Sequence, residues 1–140
     1  MIQRSFQELP TVFARLKGRN GVAREYKAVI VPTTDYCVVP MVDAFALGYP
    51  EAAGADARAL SPNPVHFATY SGYGRGLPVK MAEVEIGGTS FKDVDFIAFD
   101  VLQAAGFDVV LGRSLLKGLT LEIDYGSHRL SLRKASGGMR

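Results

Sequence analysis

The chain has 140 residues, of which 48% are hydrophobic and 21% are charged, and its formal net charge is +2. This length suits one domain with a sizeable core, and the composition, which is usual for a globular protein, excludes disorder over most of the chain. The small net charge, with no Lys/Arg block interleaved with aromatic residues, argues against a nucleic-acid partner, and the lack of a run of about 18 apolar residues predicts no membrane span.

The single cysteine, Cys37, bears on both compartment and chemistry. One thiol cannot form an intramolecular disulfide, which favours a reducing cytoplasm, and the N-terminal residues lack the apolar core of a signal peptide. Within "YCVVP" the thiol is predicted to be a small buried hydrophobe rather than a nucleophile. His66 and His128 lie far from it in the sequence, so neither a Cys–His pair nor a zinc site is predicted.

The first half of the chain predicts a β-hairpin followed by a short helix. Residues 11–18, "TVFARLKG", and residues 24–31, "REYKAVIV", have the composition of strands, and Asn20-Gly21 between them is a strong hairpin-turn signal. A tight polar loop, Pro32-Thr33-Thr34-Asp35, then separates the apolar runs "AVIV" and "CVVP". Residues 42–47 follow as a short helical segment, ended by a glycine and a proline.

The second half of the chain predicts further short strands separated by turns. Strands at residues 65–70 and 77–86 flank a predicted loop, "SGYGRG", and residues 89–101 contain the next strand. The continuous apolar run "FDVVLG" indicates a strand buried on both faces. "RSLLKG" predicts one helical turn, and "LTLEIDYGSHRLSL" predicts a final hairpin with its turn at residues 124–128. Many short strands with regular turns favour an all-β structure that is closed or nearly closed.

Three segments occur in an order and at a spacing that suggest a known family. They are "KAVIVPTTDYCVVP" at residues 27–40, "YSGYGRGLPVKMAEVEIGG" at residues 70–88 and "DVVLGRSLL" at residues 108–116. Together they resemble the retropepsin-like aspartic peptidases, the single-lobe relatives of retroviral protease. The resemblance covers residues 10–132 and implies an all-β, retropepsin-like (acid protease) closed β-barrel with a Gly-rich flap hairpin and short helices. It also implies a homodimer, in which each chain forms half of a symmetric groove.

The predicted organisation has three parts. An N-terminal arm at residues 1–9 precedes a retropepsin-like domain at residues 10–133, and a flexible C-terminal tail follows at residues 134–140. The last stretch, "RKASGGMR", is basic and Gly-rich, which is typical of a frayed tail rather than a binding arm.

The resemblance places the family's catalytic Asp-Thr-Gly triplet where this sequence has other residues. Alignment on "DYCVVP" puts Val31 at the aspartate, Pro32 at the threonine and Thr33 at the glycine. The family's reaction needs two carboxylates, one from each subunit, which share a proton because like charges so close cannot both ionise. Valine can neither accept nor donate a proton, and proline lacks a backbone donor. The sequence therefore predicts a retropepsin-like domain that is catalytically inactive.

Asp35 and Arg113 are the charged residues that the resemblance assigns to the ligand-binding groove. In the family, an acidic residue at the position of Asp35 tends to bind the substrate backbone and to pair with the arginine of Gly-Arg-x-Leu-Leu. A planar guanidinium suits pairing with a carboxylate in a partly buried site, so a structural Asp35–Arg113 pair is the favoured interpretation. A catalytic Asp35 and a solvated turn cap are the alternatives. Thr33 and Thr34 complete the predicted groove.

Five residues of the Gly-rich segment, Gly72-Tyr73-Gly74-Arg75-Gly76, are predicted to form the flap, a mobile hairpin tip. Its glycines supply positive φ angles, while Tyr73 and Arg75 offer contact groups. In a dimer such a tip would close over the groove and could hold an extended peptide as an added strand. A phosphate-binding loop is disfavoured because a strand, not a helix, follows the glycines. A surface hairpin without a ligand is the remaining alternative.

The sequence leaves three hypotheses about function. The first is a non-catalytic, retropepsin-like homodimer in the cytoplasm that binds a peptide or another ligand or serves as an assembly module. The second is an aspartic endopeptidase with a rearranged active site that uses Asp35 from each subunit. The third is a structural domain without a ligand. None of them calls for a cofactor or a metal, because Asp93, Asp95 and Asp100 alternate along a predicted strand without the spacing of a metal site.

Overall fold

The computed structural model describes residues 2–5, 9–52, 65–69, 72–99 and 107–134, without the side chains of residues 4, 51, 65–69 and 72–75. These residues form ten β-strands, two short α-helices and a 3-10 turn, which confirms the predicted all-β class. In chain order the elements are β1 (Ile2–Ser5), β2 (Thr11–Lys17), β3 (Ala23–Ile30), β4 (Cys37–Val39), α1 (Met41–Ala46), the 3-10 turn (Pro50–Ala52), β5 (Val65–Thr69), β6 (Gly72–Ile86), β7 (Thr89–Ala98), β8 (Val109–Leu111), α2 (Arg113–Leu116), β9 (Leu119–Asp124) and β10 (Arg129–Lys134).

Six of the strands form a closed barrel. Hydrogen-bonded neighbours follow the order β2-β3-β8-β4-β7-β6, and a further antiparallel pairing between β2 and β6 closes the ring. β5 pairs with the first part of β6, so that the two form a hairpin that extends from the barrel. Closure satisfies the backbone groups that an open sheet would leave at its edges. The predicted closed β-barrel is confirmed.

β2 and its turn to β3 illustrate why the sequence folds in this way. From Val12 to Leu16 every second side chain is buried and the residues between them face outward, the period-two pattern of a strand with one face on the core. The turn lies at the predicted Asn20-Gly21 position. Gly21 has a φ of +84°, and the Asn20 side chain accepts a backbone hydrogen bond at 3.0 Å from the residue two positions on. The first predicted hairpin is therefore confirmed.

Four neighbouring barrel strands are buried on both faces where they lie side by side: β8 and β4 over their whole length, and β3 and β7 over their last three residues. Their inward residues belong to the main core. Their outward residues form a second apolar group, called here the outer cluster: Val29, Val110, Val38 and Ile97. The three residues of β8 are 0%, 8% and 0% exposed, which confirms the prediction that the run "FDVVLG" contains a strand buried on both faces.

The remaining strands form a three-stranded sheet in the order β1-β10-β9. Ile2, Leu130 and Leu132 of this sheet belong to the main core. Asp124 ends β9, and its Oδ1 accepts hydrogen bonds from the Gly126 and Ser127 amides at 2.9 and 3.1 Å, which confirms the predicted final turn. β1 lies within the predicted N-terminal arm, and it is ordered through its antiparallel pairing with β10.

Several boundaries differ from the sequence-based prediction, most of them by one residue. The sequence predicts a loop at Gly72–Gly76, but these residues belong to β6 and pair with β5 from Thr69 to Val65. Glycine composition favours a turn, yet the ladder of hydrogen bonds to β5 holds the segment extended. α1 begins at Met41, one residue earlier than predicted. The predicted tail beyond Lys134 lies outside the described residues.

Within the described ranges no helix is both long enough and apolar enough to cross a membrane.

Candidate functional site

The loop between β3 and β4, residues 31–36, is a tight turn held against β8. The Val31 N–H donates a hydrogen bond to the Leu111 carbonyl at 3.0 Å, and the Thr34 N–H donates to the Val31 carbonyl at 3.1 Å. Thr34 is buried, with 4% of its surface exposed, whereas Pro32 and Thr33 are exposed. Hydrogen bonds at Val31 and Thr34 thus hold the backbone on both sides of the exposed residues Pro32 and Thr33. These two residues occupy positions that the resemblance assigns to the catalytic triplet.

Gly112, between β8 and α2, allows that segment to approach the loop. The Arg113 N–H donates to the Thr34 carbonyl at 2.9 Å. A Cβ on Gly112 would lie 2.4 Å from the Tyr36 carbonyl oxygen and 2.6 Å from that of Thr34, closer than a real Cβ comes to any atom. The φ of Gly112 is −111°, which any residue can adopt, so the need for glycine is steric.

Asp35 and Arg113 form an ion pair between the loop and the first residue of α2. The Arg113 guanidinium donates a hydrogen bond to Asp35 Oδ1. The Asp35 side chain is 34% exposed and that of Arg113 is 62% exposed, so the pair lies at the surface of the site rather than in the core. The sequence predicts this pairing, and the structure brings the two side chains together.

Ser114 and Cys37 make a second contact, between α2 and the start of β4. Ser114 Oγ accepts a hydrogen bond from the Cys37 N–H at 3.0 Å and donates one to the Asp95 carbonyl at 2.6 Å. Cys37 is fully buried, and burial raises the pKa of its thiol to about 11. The predicted role of Cys37 as a buried hydrophobe is confirmed. The only sequence signal for Ser114 is its place as the variable residue of Gly-Arg-x-Leu-Leu.

The outer cluster adjoins the loop. The half-buried hydrophobic residues that pack against it are Val31, Tyr36, Phe99 and Phe107. Two members of the cluster, Val38 of β4 and Ile97 of β7, lie opposite each other. On one side of them the loop enters β4 at Cys37, and on the other side the β5–β6 hairpin begins beyond the pair Leu77↔Ala98. Because the four members of the cluster are themselves buried, the accessible apolar groups here are the half-buried side chains of Val31, Tyr36, Phe99 and Phe107, which offer contacts to an extended ligand with apolar side chains.

The β5–β6 hairpin contains the five predicted flap residues in one of its strands. Tyr73 lies opposite Ala68, and Arg75 lies opposite His66. The residues that join β5 to β6, and the side chains of Tyr73 and Arg75, lie outside what the structure describes. Their contact role therefore stays a prediction.

The loop offers one carboxylate from each chain, and it is not at position 31. Asp35 is the only acidic residue between positions 31 and 36, and Arg113 is its ion-pair partner. The Val31 side chain instead packs against the outer cluster. Nearby Asp95 pairs with Lys80 at 3.4 Å. Within the described residues no group of three His, Cys, Asp or Glu side chains could hold a metal ion. The arrangement can bind polar and apolar groups, and valine stands at position 31, where the resemblance places the family's catalytic aspartate.

Of three comparisons with known proteins, only the comparison with solved structures gives a match. No protein-family model matches the chain, and no curated protein matches its sequence. Among solved structures, the chain is similar to the crystal structure of a retropepsin-like aspartic protease from Rickettsia conorii, with a TM-score of 0.61 and 21% sequence identity. The match covers 94% of this chain and 88% of that chain. At this identity the likeness establishes the fold.

Proposed function

We propose that this chain, which has the fold of the retropepsin-like aspartic peptidases, is a homodimeric domain that binds an extended peptide or similar ligand and does not cleave it. One observation carries the proposal. The loop at the catalytic position holds Val31, Pro32 and Thr33, and its single carboxylate, Asp35, is paired with Arg113. The scaffold of a peptidase is present, while the groups that would move protons are replaced.

The chemistry of the family explains why these replacements are decisive. An aspartic peptidase needs one carboxylate to accept a proton from the attacking water while a second, protonated carboxyl donates its proton to the carbonyl oxygen of the scissile amide. A valine side chain supplies neither function. Asp35 lies four positions further along the loop, where the Arg113 guanidinium occupies one of its oxygens. This position suits a carboxylate that orients a ligand or stabilises the loop.

Binding of an extended ligand is supported by the surroundings of the loop. The half-buried side chains that cover the outer cluster, Val31, Tyr36, Phe99 and Phe107, supply apolar contacts. In the described part of the chain, β5 pairs on one side only, with β6, so its other side can accept a further strand. Backbone hydrogen bonds along a strand give affinity, and the apolar surface gives preference for particular side chains.

A dimer is supported because one chain alone would form only half of the proposed groove. A single chain supplies one loop and one hairpin, which form one side of a groove. Within the described residues, β1 and β9 are the outer strands of the three-stranded sheet and each pairs on one side only. Such edges can join two copies about a twofold axis. Sedimentation equilibrium would test this part, with a single monomeric species as the contrary result.

The experiment for the loss of chemistry is a peptidase assay on an unfolded protein substrate from about pH 3 to 8, at concentrations that favour a dimer. Wild type and Asp35→Asn are assayed together, and circular dichroism confirms that each is folded. We expect no cleavage by either protein. Cleavage by wild type that is lost in folded Asp35→Asn would instead identify an endopeptidase that uses Asp35 from each subunit.

A further inference from the structure

β9 is an edge strand without the features that usually protect an edge. Within the described residues it pairs only with β10. That pairing runs without a bulge from Leu119↔Lys134 to Asp124↔Arg129, and the six residues of β9 include neither lysine nor proline. Soluble proteins usually protect such an edge with lysine, proline, a bulge or a very short strand. The free side of β9 therefore offers a regular row of backbone groups to a further strand.

The core-facing side of β9 carries an apolar row that a further strand would cover. Leu119, Leu121 and Ile123 alternate along the strand, are half-buried and pack against the main core. A strand beside β9 would remove part of their remaining exposed surface from water, which favours association. The opposite edge of the sheet differs, because Ile2 is the one apolar residue of β1 and is already buried, with 4% exposed. Apolar burial therefore favours β9 over β1 as the edge that binds.

A second copy of β9 fits this edge only in certain registers. Two identical antiparallel strands can be related by a twofold axis perpendicular to their sheet, which keeps the core-facing sides of both copies on one face. Residues directly opposite each other share a face, so this axis must pass beside a residue. An axis placed between Leu121 and Glu122 would instead set a core-facing residue opposite a solvent-facing one.

The register centred on Leu121 matches the chemistry of β9 along its length. It places Leu121 opposite Leu121 of the second copy, and Leu119 opposite the second copy's Ile123. On the other face, Thr120 lies opposite Glu122 of the second copy. Every apolar residue thus has an apolar partner and no acidic residue lies directly opposite another, which favours the pairing.

The neighbouring registers are less favourable. An axis at Glu122 places that carboxylate opposite its own copy, and an axis at Ile123 places Glu122 opposite Asp124. Like charges directly opposite each other destabilise a sheet. An axis at Thr120 avoids this repulsion but leaves the second half of β9, which contains Ile123, without a strand partner. The register centred on Leu121 therefore gives the longest ladder without repulsion.

We propose that β9 pairs antiparallel with β9 of a second copy of this chain, in the register centred on Leu121, so that two three-stranded sheets become one six-stranded sheet. This inference rests on the proposed homodimer and specifies its interface. Because Leu121 lies on the axis in both copies, the contact is self-complementary and closes at two chains.

α2 connects this interface to the candidate site. It contacts β9, and its first residue, Arg113, forms the ion pair with Asp35 of the loop. With a twofold axis perpendicular to the joined sheet, both barrels lie on the same face of that sheet. The two loops then lie on that face as well, which a groove built from both chains requires.

Disulfide cross-linking of Leu121→Cys tests the pairing at the axis, with Ser5→Cys of β1 as the matched control. In the proposed register the two introduced thiols lie directly opposite each other, with Cβ atoms about 5 Å apart, close to disulfide geometry. Cys37 is fully buried, so wild type provides the blank. Each protein is oxidised in air with copper phenanthroline at a concentration at which sedimentation shows a dimer. Leu121→Cys should cross-link at least about tenfold faster than Ser5→Cys.

The outcomes separate this interface from the homodimer itself. Equal cross-linking rates in two dimeric variants would overturn the β9 interface and leave the proposed homodimer in place. A wild-type protein that sediments as a monomer at every concentration would overturn both.

A second pair of variants, on the other face of β9, keeps the test decisive if Leu121→Cys does not fold. Thr120→Cys and Glu122→Cys are mixed in equal amounts, one of them labelled with heavy nitrogen, and oxidised after their subunits have exchanged. Two copies of the same residue are offset by two positions, about 7–8 Å apart and beyond disulfide reach. Intact masses should therefore show the mixed disulfide at least about tenfold above either homodisulfide. A homodisulfide as the main product would contradict the register.

Discussion

The backbones of Gly112 and Tyr36 lie so close together that a Cβ on Gly112 would come within 2.4 Å of the Tyr36 carbonyl oxygen. This contact joins the turn before α2 to the loop before β4, two segments far apart in sequence. The Asp35–Arg113 ion pair and the Ser114–Cys37 hydrogen bond connect the same two segments. The position of the loop therefore depends on three different kinds of contact.

Gly112→Ala is expected to lower the free energy of unfolding by about 3 kcal/mol, because the new methyl group meets backbone atoms that cannot move without disrupting the loop. Urea unfolding monitored by circular dichroism measures the change. Gly126→Ala is the control: its Cβ would meet one atom, Asp124 Oδ1, at 3.3 Å, and its cost should stay within about 0.5 kcal/mol. Equal stability losses in the two variants would contradict the steric account.

Asp35→Asn is expected to lower the free energy of unfolding by about 0.5 kcal/mol at low salt, since pairs as exposed as Asp35–Arg113 contribute little. The loss should become smaller in about 1 M salt, where the Debye length falls to about 3 Å. Asp93→Asn provides the comparison: it changes an exposed carboxylate at a φ of +52°, which asparagine also tolerates. A salt-independent loss of several kcal/mol at Asp35 would point to a buried role instead.

The Cys37 thiol is expected to be unreactive in the native protein. With a pKa of about 11, roughly one thiol in a thousand is ionised at pH 8, and the side chain has no exposed surface. Modification by a thiol-specific reagent at pH 8 should be at least about a hundredfold slower in the native state than in urea. Native and unfolded rates of similar size would place the thiol at the surface.

Tyr73→Ala and Arg75→Ala are expected to weaken binding of extended peptides about tenfold, equivalent to about 1.4 kcal/mol. Both positions lie in β6 beyond its pairing with β7, where the hairpin extends from the barrel. Binding to an immobilised library of extended peptides measures the effect, and unfolding curves check that stability is unchanged. Undiminished binding by both folded variants would remove the hairpin from the ligand site.

Most barrel strands could be predicted from the sequence because their signals are local. Alternating burial marks β2, Asn20-Gly21 marks its turn, and the apolar run around Val110 marks a strand covered on both faces. β1 could not be predicted in this way, because four residues of mixed polarity become a strand only by pairing with β10. Gly72–Gly76 likewise has the composition of a loop and becomes a strand only through β5.

The candidate site could be predicted in part. The Asp35–Arg113 pair follows from a resemblance that involves both segments, and the structure contains it. The Ser114–Cys37 contact carries no local signal, because a hydrogen bond between residues 77 positions apart depends on how the strands are ordered. The outer cluster was not predicted as a unit for the same reason. Its members come from four strands that are neighbours only in the folded barrel.

The most direct test of the central claim is to restore the missing triplet. The variant Val31→Asp/Pro32→Thr/Thr33→Gly is assayed beside wild type for cleavage of an unfolded protein from about pH 3 to 8, after sedimentation and circular dichroism confirm the same assembly and fold. If the chain keeps a peptidase scaffold and lacks only its acid–base pair, the restored variant cleaves with an acidic optimum and wild type does not. Cleavage by wild type, or none by a folded, dimeric restored variant, would contradict the account.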